Sequence, residues 1–246
     1  MAAGVFDALA SRYDELWTHS TIGRLQRQAV WQRLDSLFRP GDTLLDLGCG
    51  TGEDALHFMN SRIRVLAIDA SPEMVRIACS RGVDAITFRI EELGRLPGSF
   101  DGVLSNFGAL NCIRRLDAIR RPLARLVRPG GYLAICIMGC FCLWETVWYL
   151  LRARPQQAIR RWGGCGVTSS LGVQVYYPSI TQLQQAFLPD FSLVDWCGVG
   201  ISIPPSFVTS LSDRVLSGLA DFENLVAHRS PWRALGDHRL LVFARK

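Results

Sequence analysis

The chain has 246 residues, 49% of them hydrophobic and 20% charged, with a formal net charge of +5 at pH 7. That length can bury one sizeable core, and the composition is that of an ordinary globule rather than a disordered or fibrous chain. The charge is carried almost wholly by arginine, Lys246 being the only lysine; Arg114-Arg115, Arg120-Arg121 and Arg160-Arg161 are expected to be solvated helix faces rather than a nucleic-acid footprint.

The N-terminus reaches Asp7 without a basic stretch, so no signal peptide is expected. Apolar residues at helical spacing predict helices over 6–17 and 25–38, the second ended by Pro40-Gly41. A strand over 43–47 then runs into Gly48-Cys49-Gly50-Thr51-Gly52 and a helix over 53–60. Glycines in such a turn permit positive φ and let a ligand lie against bare backbone, while the helix aims its free N–H groups at the same place. Next come a strand over 63–68 ending in Asp69, a helix over 72–81 and a strand over 84–89. Ser71 is a good N-cap for that helix, and Pro72 sits in its first turn, where proline costs nothing.

Asp69, at the end of the second strand, is placed to accept hydrogen bonds from ribose hydroxyls. The cofactor class follows from charge. The dinucleotide fingerprint wants glycine at position 53, where Glu53 would face a pyrophosphate, and Asp46 adds a second negative charge. A nucleoside with cationic character and no phosphate fits that field.

Strands over 100–105 and 132–138 flank a helix near 114–127. The run 132–151 holds only Glu145 as a charge and is long enough to span a bilayer, but a strand broken by Gly139 and a helix over 141–152 account for it. No transmembrane span is expected. Residues 141–175 form an insertion rich in tryptophan, arginine and glycine (Trp144, Trp148, Trp162, Gly163-Gly164). Core periodicity returns where Ser179 caps a helix through Phe187, Gln182 completing a capping box. Strands over 191–196 and 239–244 end the chain. Strands alternating with helices imply right-handed crossovers and a parallel sheet. Eight cysteines without metal-ligand spacing read as reduced thiols in a cytoplasmic protein, with no metal site.

Four motifs in order carry a family resemblance: Leu45-Asp46-Leu47-Gly48-Cys49-Gly50-Thr51-Gly52, Ile68-Asp69-Ala70-Ser71-Pro72-Glu73-Met74, Phe100-Asp101-Gly102-Val103 and Leu126-Val127-Arg128-Pro129-Gly130-Gly131-Tyr132. Over about residues 5–138 the chain resembles class I S-adenosylmethionine-dependent methyltransferases of the small-molecule type. The resemblance implies an α/β, Rossmann-like sheet of seven mostly parallel strands with helices on both faces. It also implies an antiparallel last strand and a helical, aromatic lid insertion after the fifth strand. One methyltransferase domain, 1–246, would divide into an N-terminal helical cap (1–40), a cofactor-binding core (41–138), the lid (139–178) and the C-terminal part of the sheet (179–246).

The same resemblance implies S-adenosyl-L-methionine as cofactor, S-adenosyl-L-homocysteine as product and a small-molecule acceptor. Asp46, Gly48, Cys49 and Gly50 would pass the methionyl part, Cys49 through its backbone. Asp69 and Ala70 would hold the ribose, and Met74 and Ile90 the adenine. Arg89 stands where an adenine-binding Asp is usual, with Glu91 as its candidate replacement. Asn106 and Phe107 would form the cofactor wall after the fourth strand, and the Tyr13 hydroxyl would reach the methionyl carboxylate. On the acceptor side, Trp144, Trp148 and Trp162 either wall an apolar or aromatic acceptor or pack the lid. His228, Tyr177 and Asn106 are the catalytic candidates, and His238 is a second histidine able to act as base. A non-catalytic cofactor-binding partner protein and an RNA methyltransferase are the alternative readings. The acceptor atom and the oligomeric state stay open.

Overall fold

A computed structural model describes residues 2–163, 166–208 and 211–246. Gly164, part of the expected glycine-rich insertion, lies outside the described residues. The chain opens with α1 (Ala2–Tyr13), which widens into a π-helical turn, Asp14–Thr18, before α2 (Thr21–Leu34). Ser20 Oγ accepts from Gly23 N and starts α2 four residues earlier than apolar spacing suggests.

The alternating core follows: β1 (Thr43–Leu47), α3 (Glu53–Asn60), β2 (Arg64–Asp69), α4 (Pro72–Ser80), β3 (Asp84–Thr87), β4 (Phe100–Ser105), α5 (Leu116–Leu126) and β5 (Val127–Met138). Ser71 caps α4 as expected, its hydroxyl accepting from Met74 N at 3.2 Å. After β5 come α6 (Leu143–Leu151), α7 (Pro155–Ala158) and the two-residue strands β6 (Val167–Thr168) and β7 (Gln174–Val175), which pair with each other. The chain closes with α8 (Ile180–Phe187), β8 (Phe191–Val199), α9 (Asp213–Val226) and β9 (His238–Arg245).

Seven strands form one sheet in the order β3-β2-β1-β4-β5-β9-β8. β1 to β5 pair in parallel, and β9 lies antiparallel between β5 and β8. The expected fold is therefore present, last strand included. Chain order reverses between β1 and β4, and in an open parallel sheet a ligand crevice opens at that switch point.

Two-residue alternation sends successive side chains to opposite faces. Leu45, Leu47, Val103 and Ile135 meet α5 and α8 on one side; Leu44, Leu104 and Ala134 meet α2, α3 and α4 on the other. Phe58 and Phe187, fully buried on opposite faces, each contribute about 1.5–3 kcal/mol by leaving water. Close packing also dictates Gly102: a Cβ there would lie 2.2 Å from Phe38 Cε1.

Sequence reading did not find α9. Its apolar side chains are spread around the helix, with Val215, Phe222 and Leu225 facing out. Glu223 pins it instead, accepting backbone N–H bonds from Gly200, Ile201, Ser202 and Ile203.

Candidate active site

A cavity of about 530 Å³ opens at the switch point. Its floor is the turn after β1, where Gly48 and Gly50 take φ of 73° and 53°. At Gly48 a Cβ would sit 2.2 Å from Ala109 Cβ, whereas at Gly50 it would meet nothing closer than Tyr13 Cε1 at 3.9 Å. The Gly50 backbone thus faces open cavity. Asp69 ties this turn to the end of β2, taking Gly50 N on Oδ2 at 2.9 Å and Ser71 N on Oδ1 at 2.8 Å. Burial pushes its carboxyl up, against the pull of those N–H groups.

Ten of the twelve expected cofactor residues line this one cavity: Tyr13, Gly48, Gly50, Asp69, Ala70, Met74, Ile90, Glu91, Asn106 and Phe107. Asp46 and Cys49 do not. Alternation along β1 turns Asp46 toward the α2 and α3 side with Leu44, where it is 1% exposed and its Oδ2 has no hydrogen-bond partner. Burial, then Asp54 and Asp69, raise its carboxyl well above the usual range, while Arg27 opposes them. Asp46 can act on a cofactor only through its field or a small rearrangement. Cys49 is buried, and its thiol points back to Gly50 O at 3.5 Å.

Asn106 is the second orphan. Neither its Oδ1 nor its Nδ2 has a partner, although both are buried at the cavity wall. Phe107 follows with a φ of 52° and Gly108 with 102°, a left-handed pair that bends the chain around the cavity. Unsatisfied amide atoms and a left-handed non-glycine residue together mark a place built for something else to bind. Arg89 and Glu91, both half-exposed, line the adenine-side rim and lie 3.4 Å apart.

The N-terminal cap closes the opposite wall with Phe6, Tyr13, Trp17, Gln26 and Arg27. Asp7 accepts from Ser71 Oγ, and Asp14 accepts from Thr51 Oγ1 at 2.6 Å and pairs with Arg81, so α1 is tied to the cofactor side of the sheet. Sequence reading found Tyr13 but missed Phe6, Trp17 and Arg27. Helical spacing assigned the first of these to packing, and no motif marked Arg27.

The cavity also contains a cluster that sequence reading did not anticipate. Glu145 of α6 receives Arg160 Nε at 2.7 Å and a two-point contact from Arg161. Arg161 Nη2 also lies 2.8 Å from Asp237 Oδ1, and His238 Nδ1 lies 3.2 Å from Asp237 Oδ2. Arg160 and Arg161 are therefore no solvated face: Arg161 is 5% exposed. Burial opposes the Asp237 charge, but Arg161 and His238 overcome it and hold that carboxyl far below the usual range. Met138, Val173, Val175 and Phe207 are among the apolar residues that line the same cavity.

Of the catalytic candidates, Tyr177 and Asn106 line the cavity and His228 does not. His228 follows α9 and faces Arg33 (3.4 Å) and Asp195 (3.8 Å) at the outer edge of the sheet, which removes it from the acceptor. His57 likewise stacks on Trp31 and pairs with Asp35 outside the cavity. The lid tryptophans pack rather than line. Trp144 donates to Ser202 O, Trp148 lies against Phe207 and Arg152, and Trp162 is half exposed beside Phe141. Among the described residues no His, Cys, Asp and Glu group could hold a metal ion, and no helix is long and apolar enough to cross a membrane.

Exposed glycine backbone, a ribose-placed carboxylate, an unpartnered buried acid and an orphaned asparagine fit a cationic nucleoside. Comparison with known proteins agrees. Residues 45–135 match a family described as a methyltransferase domain. The chain is 33% identical over 162 residues to a demethylmenaquinone methyltransferase of Mycolicibacterium vanbaalenii, covering 63% of this chain and 70% of that protein. A protein of the same name from Corynebacterium urealyticum is 34% identical, with 63% and 69% covered. Among solved structures, Burkholderia thailandensis 1,6-didemethyltoxoflavin-N1-methyltransferase, with its substrate and S-adenosylhomocysteine bound, superposes with a TM-score of 0.56 at 20% identity over 100% of this chain and 88% of that one. An S-adenosylmethionine-dependent methyltransferase from Mesorhizobium loti gives 0.59 at 18% identity over 89% and 98%.

Proposed function

Because the chain belongs to the class I S-adenosylmethionine-dependent methyltransferases, and is thus an enzyme using that cofactor, we propose that its acceptor is a small, apolar, aromatic molecule carrying a hydroxyl group. The observation that carries this reading is that one cavity is lined both by apolar side chains and by the ionic cluster of Glu145, Arg160, Arg161, Asp237 and His238. Such a lining favours a greasy ring system and gives a polar substituent one place to go. Relatives named for demethylmenaquinone point to the same kind of greasy fused-ring system, and such a quinone carries hydroxyl groups in its reduced form.

Bound S-adenosylmethionine supplies an electrophilic methyl group on a positively charged sulfur. The protein's own part is alignment and exclusion of water. The turn at Gly48 and Gly50 takes the methionyl end against backbone, and Tyr13 covers it from the cap. Asp69 accepts the ribose hydroxyls, Met74 and Ile90 sandwich the base, and Glu91 takes the place of the missing adenine-binding Asp. Asn106 turns its free amide toward the junction of cofactor and acceptor, with Phe107 as the wall between them.

The test has two steps. Calorimetric titration with S-adenosylhomocysteine, with NAD as control, should give saturable binding of the first alone. Methyl transfer from labelled S-adenosylmethionine should then reach 1,4-naphthohydroquinone but neither RNA nor a polar amine of similar size. Labelled RNA with an unlabelled hydroquinone would overturn the reading.

A further inference from the structure

We propose that His238 is the general base that takes the proton from the acceptor hydroxyl, with Asp237 and Arg161 as positioning residues behind it. This rests on the proposed hydroxylated acceptor. His238 opens β9 opposite Met138 and Val199 and is 8% exposed, yet its ring lines the cavity. Its edge-on contact with Phe107, at 5.4 Å between ring centroids, places it where the cofactor wall meets the acceptor end. Nδ1 faces Asp237 at ion-pair distance without hydrogen-bond alignment, and Nε2 has no side-chain partner among the described residues. Catalytic hydrogen bonds are often long in a ligand-free site and tighten with substrate in place.

The surrounding charges determine which group can take a proton. Glu145 of α6 and Asp237 face Arg160 and Arg161 from the segment after α7, so two acids balance two bases. Tyr177 lies against Arg161 at 5.0 Å, and Arg27 of α2 lies over the far side of Phe107 at 5.0 Å. Cys142 at the lid's start has a thiol that burial pushes up to about 12, and Arg239 turns away, donating to Phe141 O and Ala234 O. Asp237 is locked in its ionised form by Arg161, and Tyr177 is raised by burial. Of these groups, only His238 belongs to the residue type that exchanges a proton near neutral pH.

The step balances simply. The acceptor O–H bond breaks, its proton goes to His238 Nε2, and the electron pair stays on oxygen to make the acceptor nucleophilic. The imidazolium formed sits beside the Asp237 carboxylate, which stabilises it and keeps Nδ1 protonated in the resting tautomer. The arginine pair fixes that carboxylate in turn. Asp69 bonds to Gly50 N and Ser71 N and to none of this cluster, so loss of the base should leave cofactor binding intact.

The experiment compares the wild-type protein with His238→Gln and Asp237→Asn, all loaded with S-adenosylhomocysteine. Calorimetric affinity for that compound should stay within about threefold in both, which also certifies folding. With 4-nitrophenol as a chromophoric hydroxyl probe, the loaded wild-type protein should ionise the bound phenol at lower pH than buffer does, and His238→Gln should not. With 1,4-naphthohydroquinone and S-adenosylmethionine, His238→Gln should lose on the order of 10²–10⁴-fold in kcat with little change in cofactor KM, and its rate should no longer fall on the acid side. Asp237→Asn should keep that acid limb but move it to lower pH, which a purely structural role would not do. Equal phenol ionisation by wild type and His238→Gln, or no binding of 4-nitrophenol at all, overturns the proposal. Phenol ionisation that depends on His238 without transfer to the hydroquinone leaves the base in place and refutes the acceptor class instead.

Discussion

Asp46 sits where burial works against the ligand-free fold. A carboxylate buried with one oxygen unpartnered costs stability in its ionised form. Its upward shift means that the contribution of Asp46 is fully present below the unfolded carboxylate range, about 3.9, and is lost as pH rises through its folded value. Asp46→Asn should therefore raise the Tm of the cofactor-free protein at pH 7 by a few degrees while weakening S-adenosylmethionine binding about tenfold, roughly 1.4 kcal/mol. Differential scanning calorimetry and titration read the two effects, and a fall in both would mean that Asp46 holds structure rather than ligand. Asp69→Ala should go further, removing the carboxylate that ties Gly50 N to β2 as well as the proposed ribose acceptor. Unchanged affinity for S-adenosylhomocysteine would remove the ribose assignment. At this scale the cofactor side was legible because glycine spacing and a strand-end acid follow from backbone chemistry. The acceptor side was not. Arg160, Arg161 and Asp237 come from distant segments, and an arginine doublet looks the same in sequence whether it faces water or a buried glutamate.

Elements were legible where periodicity and capping agree. β1 and β4 fall over 43–47 and 100–105 as expected, and α8 carries both halves of its capping box, Ser179 Oγ accepting from Gln182 N and Gln182 Oε1 from Ser179 N. Ser179→Ala should cost about 1 kcal/mol in urea unfolding with an unchanged denaturant slope. α9 follows a different logic, since its register depends on one buried acid rather than an apolar stripe. Glu223→Ala would strip four backbone N–H groups of their acceptor at once. It should cost about 3 kcal/mol or more, several times the capping mutation, and free the 200–203 turn for hydrogen exchange. A loss as small as that of Ser179→Ala would show that water replaces the carboxylate freely. The short β6 and β7 pair escaped sequence reading because two residues are too few for a period to show.

Over the whole molecule, the shifted carboxylates divide by whether their partners outweigh burial, and their titration should expose that division. Burial opposes the charge on Asp14, Asp101 and Asp237, yet Thr51, Thr43, Arg81, Arg128 and Arg161 outweigh it, and all three are shifted down. Their stabilisation is present above the unfolded carboxylate range and is lost as pH falls through their folded values. All three join distant parts: Asp14 fastens the N-terminal cap to the turn after β1, Asp101 of β4 holds Thr43 of β1 and Arg128 of β5, and Asp237 fastens the lid to β9. The two carboxylates nearest the floor turn, Asp46 buried behind it and Asp69 at the end of β2, are shifted up by burial, as is Glu223 of α9, and these act in the opposite sense, losing stability as pH rises. The cofactor-free protein should therefore lose Tm steeply below about pH 4 and gain nothing further above it, because the fasteners are then fully ionised and the upward-shifted carboxylates only subtract as pH rises. Saturating S-adenosylhomocysteine brings an ammonium toward that floor, and at a hundredfold excess over its Kd adds about 2.7 kcal/mol through binding alone. Its increment in Tm should grow as pH rises through the folded values of Asp46 and Asp69, which burial shifts up, because the ionised carboxylates hold the ammonium more strongly. Asp46→Asn should flatten this dependence, whereas Asp237→Asn should leave it intact and soften only the acid collapse. Melting curves of the three proteins between pH 3 and 8, with and without ligand, decide the matter. An increment independent of pH in the wild-type protein would mean that the floor carboxylates play no part in cofactor binding.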